Sequence, residues 1–138
     1  MKISVPDSSN YFKGLLILIR KDNNITESEH VLMLRIGKAL GFEETFIENA
    51  IQEILLNRFI SETPPVFSSR QLAEKFLKDG LVLAASDNEI HANEEAWLLS
   101  VAGINNIEVS WYFSEKKSFL QKKYNTIDLN ADDLEVLY

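Results

Sequence analysis

Two acidic pairs with one spacing carry the clearest chemistry in the chain. Asp22 is followed directly by Asn23 and, seven residues on, by Glu29; Asp87 is followed by Asn88 and, at the same interval, by Glu94. Carboxylates set out in this way can cap backbone amides in turns and at helix starts. They can also gather round a hard cation such as Ca²⁺ or Mg²⁺, which takes oxygen ligands. Each Asp is expected just past the C-terminal end of a helix, where the helix dipole disfavours negative charge by about 0.3–1 kcal/mol. That cost recurs at two equivalent places, so each Asp needs a cap or a cation to offset it. Glu29 has a structural role of its own, because Thr26-Glu27-Ser28-Glu29 reads as a capping box. The structural reason for Glu94 is weaker, since His91 is a poor cap.

Other chemistries fit less well. An EF-hand loop needs Gly at its sixth position and Glu at its twelfth. Counted from Asp22 these are Glu27 and Met33, and from Asp87 they are Ala92 and Leu98. His91, Glu94 and Glu95 fall on one helix face at i, i+3 and i+4 and form a second, zinc-type candidate set. The chain has no Cys, two His and no Gly-rich phosphate loop. A thiolate nucleophile, a zinc-thiolate site and a nucleotide cradle are excluded, and the chain reads as non-enzymatic.

The net charge of −7 turns the molecule away from nucleic acid and from anionic membrane surfaces, and toward cations and basic protein surfaces. The first ten residues hold one Lys and no long apolar run, so they do not read as a signal peptide. Leu15 to Ile19 is too short an apolar run to insert in a membrane. A cytoplasmic location is the expectation.

The acidic pairs must be positioned by helices. Five Gly and three Pro in 138 residues argue against the many tight turns of a β fold. Helical spacing predicts helices over Ser8 to Arg20, Thr26 to Leu40 and Glu43 to Arg58. It predicts three more from about Ser68 to Ala85, Asn93 to Ala102 and Glu108 to Lys123. Ser68-Ser69-Arg70-Gln71 offers a capping box for the fourth. The first and fourth carry apolar runs, Leu15 to Ile19 and Leu81 to Ala85, that go all the way round and mark buried helices. In the tail Asn130 is placed to cap a short helical turn, with Leu134 and Leu137 as its apolar edge. Trp111-Tyr112-Phe113 cannot all face inward, and Lys116, Lys117, Lys122 and Lys123 read as a solvated face.

The chain also repeats itself. At an offset of 65, Leu16 falls on Leu81, Asp22 on Asp87, Ile25 on Ile90, Glu29 on Glu94 and Ile36 on Val101, with no gap from Leu16 to Phe42. Self-similarity at a fixed period signals duplicated supersecondary structure. The expected fold is all-α: one domain over 1–138, a duplicated three-helix unit forming a six-helix bundle with pseudo-two-fold symmetry. Repeat one covers about 8–58, a linker with Pro64-Pro65 about 59–67, repeat two about 68–123, and a tail 124–138.

An apolar helix, then Asp-Asn, an apolar residue and a Glu in the next helix, occurring twice, resembles the TerB-like family, named for a tellurite-resistance protein. The resemblance runs from about Tyr11 to Lys123. It implies an all-helical adaptor or binding domain in a stress-response or envelope-associated assembly. It also implies that Asp22, Glu29, Asp87 and Glu94 correspond to the family's acidic positions, suspected of binding a divalent cation such as Ca²⁺ or Mg²⁺. The alternative is a metal-free protein-interaction scaffold. The family pattern has Ala-Asp-Gly where this chain has Lys21-Asp22-Asn23 and Ser86-Asp87-Asn88. Asn is the best non-Gly residue for a left-handed turn, but a Lys beside the acids would compete with a metal. Neither His30 nor His91 is followed by the Pro-Asp of a J domain.

Overall fold

The computed structural model describes residues 1–122 and 128–138. The fold is all-α. The helices are α1 (Val5–Arg20), α2 (Glu27–Ala39), α3 (Glu44–Leu56), α4 (Arg70–Ala84), α5 (Ala92–Ile104) and α6 (Val109–Gln121). Lys123, the expected end of the sixth helix, and residues 124–127 of the expected tail lie outside the described residues.

α1 and α4 form the centre. Their C-terminal runs, Leu15 to Ile19 and Leu81 to Ala84, are buried on every side because they are surrounded: α1 packs on α2, α3, α4 and α5, and α4 on α5 and α6. Leu15, Leu18, Leu81 and Ala84 are all at most 2% exposed. α1 starts at Val5 rather than Ser8. Ser4 caps it by accepting from the Asp7 amide, and Pro6 sits in the first turn, where a missing N–H costs nothing. α4 is capped by Ser69, which accepts from the Leu72 amide. The expected box from Ser68 to Gln71 does not form, because the Ser68 hydroxyl donates to Asp7 instead. Tyr112 is buried, Trp111 half-buried and Phe113 exposed, so the aromatic run splits as its helical spacing requires.

Local backbone features recur at the 65-residue offset. Asn23 and Asn88 both take left-handed backbone, with φ of 61° and 71°. Gly41 and Asn106 end α2 and α5 in the same way, with φ of 88° and 58°. The Phe42 amide donates to the Gly37 carbonyl and the Ile107 amide to the Ala102 carbonyl, each at 2.9 Å, the long bond of a Schellman ending. A Cβ on Gly41 would stand 2.6 Å from the Tyr138 hydroxyl. Tyr138 is exposed and can swing away, so the cost of Gly41→Ala lies in the backbone, about 1–2 kcal/mol. Gly41→Asn should cost less, since Asn106 already holds this conformation. Urea denaturation of the two variants decides; equal losses would place the cost in the Tyr138 contact.

The tail differs most from its expected form. Residues Asn130–Asp133 make a 3₁₀ turn, but Leu129, not Asn130, is its cap residue. Leu134 is buried, whereas Leu137 is exposed and belongs to strand β2 (Glu135–Leu137). β2 pairs in parallel with β1 (Lys2–Ser4), so the extended ends of the described chain close on one another.

Candidate metal centre

Each acidic residue first does local structural work. In the turn after α1, Asp22 Oδ1 accepts from the Asn24 amide at 3.2 Å; in the turn after α4, Asp87 Oδ1 accepts from the Glu89 amide at 3.2 Å. Glu29 completes the expected capping box, accepting from the Thr26 amide at 3.0 Å while Thr26 Oγ1 accepts from the Glu29 amide at 3.1 Å. Glu94 accepts from the His91 amide at 3.0 Å. The His91 ring turns instead to Asp87, with Nε2 3.2 Å from Oδ2.

The packing of α1 against α4 and α5 then brings the two turns together. Asp22, Glu29 and Glu94 each place one carboxylate oxygen within 4.8 Å of the others; Asp22, Asp87 and His91 do the same with one ligand atom each. Asp22 belongs to both groups: it joins the buried Glu29 and Glu94 on one side and Asp87 with His91 on the other. Two oxygens each about 2.4 Å from one Ca²⁺ lie at most about 4.8 Å apart. The all-oxygen group of Asp22, Glu29 and Glu94 is spaced for a hard cation, whereas the group with Asp87 includes the His91 ring nitrogen.

The arrangement is electrostatically costly without one. Glu29 and Glu94 are 3% and 1% exposed. Burial pushes Glu94 up to about 7, with the charges of Glu29 and Asp22 adding to the rise. Burial also raises Glu29, with smaller contributions from Asp22 and Asp87. At the rim, the hydrogen bond to Asp87 raises His91. Protons or a cation relieve such repulsion.

The zinc-type set does not assemble. Glu95 pairs with Lys116 at 2.5 Å and accepts from the Tyr112 hydroxyl, away from His91 and Glu94. Lys116 is thus bound rather than simply solvated. Lys21 does not fill the acidic cluster either: its Nζ bonds Glu62 at 2.6 Å and lies 5.1 Å from the centre of the Trp97 ring.

Two buried acids escape a reading of motifs. Asp79, 0% exposed, accepts from the Tyr11 hydroxyl at 2.6 Å and from the Asn130 and Ala131 amides at 2.6 and 2.9 Å. Asp7 accepts from the Ser68 amide and hydroxyl, tying the start of α1 to the start of α4. Asp79 was findable: it lies three residues after Phe76 and four before Leu83, on the buried stripe of α4. Compared with known protein families, curated proteins and solved structures, the chain matches none.

Proposed function

We propose that the chain is a non-enzymatic binding domain of the TerB-like type, built from two copies of one three-helix unit. In this reading it holds Ca²⁺ or Mg²⁺ where the copies meet and serves as an adaptor for other proteins. The setting, a stress-response or envelope-associated assembly, rests on the family resemblance, and the cytoplasmic location on the reading of the first ten residues and of the short apolar run. No described helix is long and apolar enough to cross a membrane. One observation supports the cation reading: Asp22, Glu29 and Glu94 come from a turn and two different helices, yet each places a carboxylate oxygen within 4.8 Å of the others, with Asp87 beside Asp22. Local capping explains each residue singly, but it gives no reason for Asp22, Glu29 and Glu94 to meet.

A metal-free scaffold is the second reading, favoured by the backbone amide that each of the four carboxylates already accepts. Thermal denaturation separates the two. A cation that binds only the folded form stabilises it by about 2.7 kcal/mol at a hundredfold excess over its dissociation constant. Millimolar Ca²⁺ or Mg²⁺ should raise the melting temperature relative to EDTA, and Asp22→Asn combined with Asp87→Asn should abolish the rise. An unchanged melting temperature in the unmutated protein leaves the scaffold.

A further inference from the structure

The end of α1, the end of α3 and the connection after it enclose an open groove of about 850 Å³. Three cations line it, Arg20, Lys21 and Arg58, against one carboxylate, Glu62, in a chain of net charge −7. Arg20 is built in. Its side chain is 13% exposed, and its guanidinium donates to the carbonyls of Ile54, Asn57 and Ile60 at 3.3, 3.1 and 3.4 Å. Glu62 lays its carboxylate across Arg20 and Lys21 at 2.5 and 2.6 Å. Arg58 pairs with no carboxylate among the described residues. Leu55 also lines the groove and is 42% exposed, and on the same stretch of chain Leu56 and Phe59 are 82% and 97% exposed. Bare apolar side chains on the chain segment that borders a cationic recess point to a protein-binding patch rather than a solvated face.

We propose that this groove docks an acidic amphipathic peptide segment of a partner protein. Its carboxylates pair with Arg58 and, by displacing Glu62, with Arg20 and Lys21, while its apolar side chains cover Leu55, Leu56 and Phe59. Glu62 is then an internal competitor, a carboxylate of the chain's own connection seated where the partner's would go. Charge complementarity selects this occupant, since three cations against one carboxylate leave the lining with a charge of +2. An anionic bilayer would meet the same cations, but it is flat where the groove is concave, and it repels the acidic remainder of the molecule. The inference is independent of the cation reading, because none of the four clustered carboxylates lines the groove.

Fluorescence anisotropy tests it with a short fluorescein-labelled peptide that carries Asp and Glu on one helical face and Leu and Phe on the other. A peptide with every acid replaced by Lys and vesicles containing phosphatidylserine form the other arms. The acidic peptide should bind, more weakly as salt rises. Arg58→Glu and Phe59→Ser should each loosen it by about tenfold, and Glu62→Gln should tighten it several-fold. All three side chains are at the surface, so unchanged melting curves will show that the variants remain folded. The proposal is overturned by absence of binding, by equal binding of the two peptides, or by binding to vesicles alone. It is equally overturned by affinities that Arg58→Glu, Phe59→Ser and Glu62→Gln leave unmoved.

Discussion

Asp79→Ala is expected to destabilise the protein by about 3–5 kcal/mol. The carboxylate is fully buried on α4 and gathers donors from α1 and from the tail. Its removal strands the Tyr11 hydroxyl, also 0% exposed, and the amides of Asn130 and Ala131. A buried donor without an acceptor costs about 1–3 kcal/mol. The tail can escape part of that cost by lifting off, so the loss divides between global stability and local opening. Urea denaturation reads the first part. Hydrogen exchange at the Asn130 and Ala131 amides, expected to accelerate, reads the second. Tyr11→Phe removes one donor and keeps the ring packing, and should cost about 1.5–3 kcal/mol. If Asp79→Ala costs under about 1 kcal/mol and exchange stays unchanged, the carboxylate does not hold the tail.

Glu94→Gln is expected to act in the opposite direction at neutral and alkaline pH. Burial, aided by Glu29 and Asp22, holds Glu94 at about 7 in the folded state against an ordinary 4.5. A folded value above the unfolded one means that the folded protein binds more protons in that window. The stabilisation is complete below the unfolded value and is lost as pH rises through about 7. Glu29, raised by burial, and His91, raised by its bond to Asp87, act in the same sense. Burial raises Glu62 as well, but its bonds to Lys21 and Arg20 outweigh that and hold it below the usual range. Its contribution is lost only in acid. Stability in EDTA should therefore fall between about pH 5 and pH 8, by up to about 3 kcal/mol from Glu94. Glutamine keeps an oxygen for the His91 amide and removes the charge. The variant should show a flatter decline and exceed the unmutated protein in stability at pH 8; on the proposed cation reading it should also lose the gain from Ca²⁺. Urea midpoints at the two pH values decide; parallel declines would place the titration elsewhere.

The same residues show how much was legible in the sequence. The capping box at Thr26 and Glu29 and the left-handed Asn23 and Asn88 follow from local chemistry, and all appear where the spacing puts them. The all-round apolar runs placed α1 and α4 at the centre because only a helix enclosed by others can bury every face. Those two facts also bring the Asp-Asn turns within reach of each other, since each turn follows one of the two central helices. What the pattern could not supply depends on distant partners. Ser68 looked like a cap until Asp7, sixty-one residues away, took its hydroxyl. Asn130 looked like a cap until Asp79 drew both its backbone amide and its side-chain NH₂. Strand β2 was invisible, because three residues carry no usable period and the pairing partner lies at the far end of the sequence.

That pairing has a mechanical consequence. β1 and β2 run parallel, with Lys2 opposite Glu135 and Ser4 opposite Leu137. Tension drawn through Met1 and Tyr138 enters the ladder at opposite ends. It runs along the strands and loads their hydrogen bonds together, in shear. An antiparallel pair pulled from its two adjacent ends would open one bond at a time. The weakest-looking element of the fold, two strands of three residues, is thus oriented as a clasp whose bonds share a pull before any helix bears it.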